Sequence, residues 1–166
     1  MSTPISNESK LSLDISVEAG DWPPIADLEA ICERATSAAL METGRSFPPM
    51  GSELSVLFTG DEQIKALNWE WRGKDKATNV LSFPAFTSTR SGPIPPLLGD
   101  IVLAAQTVKR EALEEGKTFQ NHLTHLIIHG FLHLVGYDHE TDAEAEEMEE
   151  VERRALARLA IPDPYE

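Results

Sequence analysis

Three of the chain's five histidines fall within eleven residues, HGFLHLVGYDH, as His129, His133 and His139. At about 100° per residue, His129 and His133 stand one above the other on a helix. That is the spacing at which two imidazoles bite one metal ion from a single helical face. Gly136 can end the helix and let the chain reverse, which brings His139 back toward the pair. Three imidazoles with a fourth position open to water form the ligand set of a catalytic zinc site, whereas structural sites are closed. A divalent ion held there lowers the pKa of a bound water to near neutrality. Imidazole ligands favour zinc over harder ions. Asp138, next to His139, is placed to accept a ring N–H as a supporting partner.

One absence separates chemistries. A helical metalloprotease of the His-Glu-x-x-His type carries its general base directly after the first ligand, where this chain has Gly130. No carboxylate occurs between residues 116 and 137, so peptide hydrolysis by that route is disfavoured. His122 and His125 lie in or near the same arc and read as packing or surface residues. The other faces carry Leu123, Leu126, Ile127, Ile128, Phe131 and Leu132, so the helix is apolar nearly all round and must be buried. Its one polar strip must then face a cavity, water or a ligand.

The elements that would position this strip follow from the hydrophobic pattern. Residues 11–18 alternate and predict a half-buried strand. A helix follows over 24–42, closed by Gly44, and then a second strand over 53–60. Asp61 is expected to cap a helix that stops at Gly73. The run 78–84 reads as a third strand near an edge, and 85–98, rich in proline, as an exposed loop. A strand over 99–105 and a helix ending at Gly116 precede the histidine helix, expected over 118–135. Thr141 and Glu144 form a capping-box pattern for the last helix. Its apolar stripe is Met148, Val151, Ala155 and Leu159, with acidic residues on a solvated remaining face. The expected fold is a single α/β (α+β-like) domain over 11–166. It has about four strands and about five helices, with a metal site on a central buried helix. Residues 1–10 are expected to be a disordered tail.

The 166 residues suffice for one hydrophobic core. No apolar run approaches the roughly 18 residues that cross a membrane. The first residues show no basic start leading into an apolar stretch, so a secretory signal is not expected. Cys32 is alone, which excludes an intramolecular disulfide and a cysteine-based zinc cluster, and it reads as a small core residue. These features point to the cytoplasm. The net charge of −14 argues against nucleic acid, but the acid is concentrated at the ends. Residues 60–120 carry eight Lys or Arg against eight Asp or Glu, whereas residues 140–152 alone hold eight acids. A local basic surface on the middle section is therefore allowed. Arg72, Lys74 and Lys76 cluster there, with Lys109 and Arg110 as a possible extension. Trp69 and Trp71 flank the cluster. Both could stack on bases, although Trp69 is expected to be core packing.

The motif HGFLHLVGYDH resembles the hallmark of the YbeY family of bacterial endoribonucleases. LNWEWRGKDKATNVLSFP, LGDIVLA, AEEMEEVE and the DPY at 163–165 resemble further family blocks in the same order. The resemblance implies an α/β fold with a small, mostly parallel sheet and one zinc ion on His129, His133 and His139. It implies a metal-dependent endonuclease for single-stranded RNA, acting in maturation of the small-subunit rRNA 3′ end and in ribosome quality control. Arg72 matches the family's functionally important arginine. The implied partners are an rRNA precursor, a small-subunit ribosomal protein and a ribosome-assembly GTPase. In this reading His129 and Arg72 are catalytic, and Arg72, Lys74 and Lys76 contact RNA. The metal activates water or polarises a phosphate oxygen while Arg72 stabilises phosphate charge. Attack by the RNA 2′-OH is an alternative. Two other functions stay open: a ribosome-assembly factor with a mainly structural zinc, and a peptidase-like hydrolase drawing its base from outside the motif.

Overall fold

The computed structural model describes residues 10–165. The tail expected over 1–10 therefore lies, apart from Lys10, outside the described residues. The chain runs β1 (Leu11–Val17), α1 (Ile25–Thr43), β2 (Ser52–Thr59), α2 (Asp61–Arg72), β3 (Val80–Pro84), β4 (Leu97–Ala104), α3 (Ala105–Glu115), α4 (Phe119–Leu134) and α5 (Asp142–Arg158). The four strands form one sheet in the order β1-β2-β4-β3. β1 with β2 and β2 with β4 are parallel, and β3 joins antiparallel at the edge. Among the described residues these are the four strands and five helices that the sequence pattern implies, in the small, mostly parallel sheet that the resemblance implies.

Strand alternation sorts the side chains onto two faces. Leu54, Val56 and Phe58 of β2 and Ile101 and Leu103 of β4 enter the main core with α1, α4 and α5. Leu57, Val102 and Ala104 turn the other way, where Ile64 and Leu67 of α2 cover them with a smaller cluster. Cys32 is buried in the main core, and burial pushes its thiol up to about 12, so it is a packing residue without thiolate character.

α4 is buried on nearly every side. A Cβ at Gly130 would meet Ile101 and Ser82 side-chain atoms at 3.1 Å, so the helix lies close against β3 and β4. The Ser82 hydroxyl donates to the Gly130 carbonyl at 3.2 Å. The position that holds the base in helical metalloproteases thus faces the sheet in this protein.

Two local expectations are corrected. Gly60, not Asp61, is the N-cap of α2, and it makes no side-chain cap bond. Asp61 lies inside the helix, and its carboxylate accepts the Thr107 backbone N–H (3.1 Å) and hydroxyl (2.9 Å), joining the starts of α2 and α3. The 85–98 loop is not simply exposed. Ile94 is buried, and Arg45 donates to Thr89 and Gly92 carbonyls (3.0 and 2.9 Å) and to Val135 (2.6 Å), tying the loop to the end of α4. Gly136 sits beneath that tie at φ 108, and a Cβ there would lie 2.4 Å from the Thr89 carbonyl carbon.

Candidate metal centre and cleft

Gly136 turns the chain out of α4, and His139 returns beside His129 and His133. One nitrogen from each ring lies within 4.8 Å of the others. The ring centroids are 4.7 Å apart for His129 and His133, 4.8 Å for His133 and His139, and 5.6 Å for His129 and His139.

The far nitrogens of two rings are committed. His129 Nδ1 donates to Glu152 Oε2 at 2.7 Å, and His133 Nδ1 donates to the Tyr137 carbonyl at 3.1 Å. Both partners can only accept, so in the neutral form each ring carries its free lone pair on Nε2. Those two Nε2 atoms stand 3.2 Å apart. Two neutral rings held this way would face each other lone pair to lone pair, a contact that a proton or a metal cation between them relieves. Ligand nitrogens on a tetrahedral zinc, with bonds of roughly 2.0–2.1 Å, are separated by about 3.3 Å. The three imidazoles fit zinc by donor type, and the His129–His133 pair fits it by spacing.

Electrostatics point the same way. Burial, followed by the neighbouring His129 and His139, pushes the His133 imidazole down to about 4. It is therefore neutral near pH 7, as a metal ligand must be. Burial pushes the Glu152 carboxyl up, but the hydrogen bonds from His125 and His129 outweigh it and hold the group at about 2. Glu152 is 0% exposed, so an ionised carboxylate is kept in the core by its donors.

The rings open onto a cleft of about 420 Å³. Arg72, Ser82, Phe86, Thr87 and Asp138 line it with them, so the end of α2, β3, the 85–98 loop and the end of α4 meet there. Arg72 Nη2 donates to the Ser82 carbonyl at 3.1 Å, and its guanidinium lies over the Phe83 ring at 5.9 Å. Lys74 and Lys76 are exposed but do not line the cleft. Lys109 pairs with Asp21 at 3.2 Å instead of extending a basic surface. Trp69, expected in the core, is 60% exposed, and Trp71 is 67% exposed. α2 buries only Ile64 and Asn68, and Trp69 lies about 100° round from Asn68.

Asp138, expected to accept a ring N–H as a supporting partner, lines the cleft and accepts the His139 backbone N–H at 2.8 Å through Oδ1. The ring-holding carboxylate is Glu152, one of the acidic residues expected on the solvated face of α5. Its signal was present: Glu152 lies four residues after Met148 and three before Ala155, inside the apolar stripe of α5. His122 and His125 are packing residues, each paired to a carboxylate: His122 Nε2 to Glu111 at 2.8 Å, His125 Nε2 to Glu152 at 2.7 Å.

Comparison with known proteins places the chain among relatives of one family. Residues 20–160 match the family model described as Endoribonuclease YbeY. The endoribonuclease YbeY of Rhizobium meliloti is 56% identical over 159 residues, covering 93% of this chain and 95% of that protein. That of Agrobacterium fabrum is 54% identical over 159 residues, covering 93% and 95%. The solution structure of a Thermotoga maritima protein superposes with a TM-score of 0.56 at 25% identity, over 89% of this chain and 91% of that one.

Proposed function

Because the chain belongs to the YbeY endoribonuclease family, we propose that it is a zinc-dependent endonuclease for single-stranded RNA. Its task in this reading is maturation of the small-subunit rRNA 3′ end and ribosome quality control. One observation carries the proposal: three imidazoles with nitrogens within 4.8 Å share a cleft with one arginine.

His129, His133 and His139 would hold the zinc, which when bound supplies a Lewis acid and lowers the pKa of a coordinated water. Arg72 meets the charge that develops on nonbridging phosphate oxygens, which a planar guanidinium fork matches. The Ser82 carbonyl and the Phe83 ring fix its direction before substrate arrives, so little reorganisation is needed at the moment of reaction. Glu152 keeps the His129 ring turned so that Nε2 faces the cleft. Phe86 in the cleft wall and Trp71 beside Arg72 offer apolar faces on which unpaired bases can stack, which suits a single strand. Lys74 and Lys76 would contact the strand outside the cleft.

The net charge of −14 favours one further feature. An acidic protein gains little counterion-release affinity for RNA by itself. A small-subunit ribosomal protein or an assembly GTPase would then deliver the substrate. The same charge favours the alternative of an assembly factor with a mainly structural zinc.

The test is cleavage of an end-labelled single-stranded rRNA 3′-end precursor by zinc-loaded protein. The Arg72→Ala protein is expected to cut about 10²–10³-fold more slowly, and His129→Ala to reach background. Equal cutting by all three would assign the activity to a contaminant. No cutting by wild type, with or without ribosomal particles, would leave the assembly-factor reading.

A further inference from the structure

Glu152 is held from its far side by the end of the chain. Its Oε2 accepts from His129 Nδ1 and its Oε1 from His125 Nε2, both at 2.7 Å. The Tyr165 hydroxyl donates to the same Oε1. Tyr165 reaches it because the chain doubles back after α5. Ala160 adopts φ 59, and the Ile161 N–H returns to the Leu156 carbonyl at 3.0 Å. Arg153 then pins the returning segment twice. It pairs with Asp163 at 3.2 Å, and its guanidinium lies 5.4 Å over the Tyr165 ring. The Tyr165 N–H closes the turn on Asp163 Oδ1 at 2.8 Å.

We propose that residues 160–165 form a clamp on the metal centre, in which Tyr165 acts through Glu152 to hold His129 in its metal-binding orientation. This rests on the metal reading of the three histidines. Tyr165 and Glu152 are positioning residues, since neither lines the cleft. The physical need is clear. A second cleft, of about 520 Å³, reaches His125 between the start of α4 and the returning segment, so solvent lies one ring away from Glu152. The tyrosine hydroxyl supplies the third donor to a fully buried carboxylate, a place that water would otherwise take. A carboxylate shared with water directs the His129 N–H less firmly, and both the tautomer and the angle of the ring loosen. Groups that orient a metal-bound histidine are typically worth 10–100-fold in metal affinity.

The experiment combines zinc affinity, by chelator competition, with the ring ¹⁵N signals of His129 in metal-free protein. It uses wild type, Tyr165→Phe, Glu152→Gln and the double variant. Glu152→Gln is expected to weaken zinc binding about 10–100-fold and Tyr165→Phe about 3–10-fold. The double variant should be no weaker than Glu152→Gln, because the tyrosine acts only through the carboxylate. Wild-type His129 should carry its proton on Nδ1, and Tyr165→Phe should mix the two tautomers. Unchanged zinc affinity and ring signals in Tyr165→Phe would overturn the clamp, as would full additivity in the double variant. Should Glu152→Gln fail to fold, Tyr165→Phe decides alone, since it removes only a hydroxyl near the chain end. If wild type binds no zinc, the metal reading falls, and the ring signals still decide whether the clamp exists.

Discussion

The two halves of α4 carry the same residue type on the same strip and use it differently. In the first half, His122 and His125 each bind a carboxylate through Nε2, Glu111 and Glu152 respectively. In the second half, His129 and His133 bind their acceptors through Nδ1, which leaves Nε2 to Nε2 at 3.2 Å across the cleft mouth. Helical spacing puts four imidazoles in line. The partners supplied by α3, α5 and the turn after α4 decide which nitrogen each one shows. Glu152 joins the halves, since one carboxylate takes a ring from each.

The largest effect should come from exchanging one histidine in each half. The His133→Ala protein is expected to lose stoichiometric zinc and RNA cleavage, while His122→Ala keeps both. Zinc content by mass spectrometry checks this, and preserved stoichiometry in His133→Ala would defeat the ligand assignment.

The order should reverse for stability without metal. His122→Ala strips a buried partner from Glu111, at a cost of about 1–3 kcal/mol. His133→Ala should cost less in metal-free protein, because that ring is only half-buried and lines the cleft, where water can replace it. Urea unfolding of both, in the presence of chelator, gives the comparison. A larger loss for His133→Ala would show that the cation-binding half is built for packing first.

The smallest effect is in acid. His133 is held down at about 4 against an ordinary 6.5. Between those values the unfolded chain binds the proton and the folded chain does not, so stability falls as pH drops from 6.5 toward 4. Glu152, at about 2 against 4.5, adds a further loss in the same direction below pH 4.5. Denaturant midpoints of metal-free protein across pH 7 to 4 should show the first slope, and His133→Ala should flatten it.

Much of this site was legible in local pattern. The i, i+4 histidines, the turn at Gly136 and the capping box at Thr141 and Glu144 involve neighbours in sequence, and the structure contains all three interactions at helical or turn range. The strand alternation likewise sorts residues onto two faces of the sheet. Trp69 was misplaced because periodicity shows which face of a helix is apolar but not how wide a face the neighbouring layer covers. Asp61 was misplaced because a carboxylate near a helix start has a local option and a distant one, and Thr107 offered two donors. Asp138 took the backbone N–H beside it, which leaves the more distant ring to others.

What the chain's order of residues determined was therefore which side chains could serve: three histidines at ligand spacing, a glycine where the sheet presses on α4, and an arginine at the end of α2. What required the tertiary structure was the identity of the groups that aim them. Glu152 lies 23 residues from His129, within a run of eight acids that composition cannot tell apart. Its place in the apolar stripe marks it for burial, but only the packing of α5 against α4 sets it on the His129 ring. Burial strengthens a hydrogen bond and penalises an unpartnered charge, and burial depends on which elements come together in space.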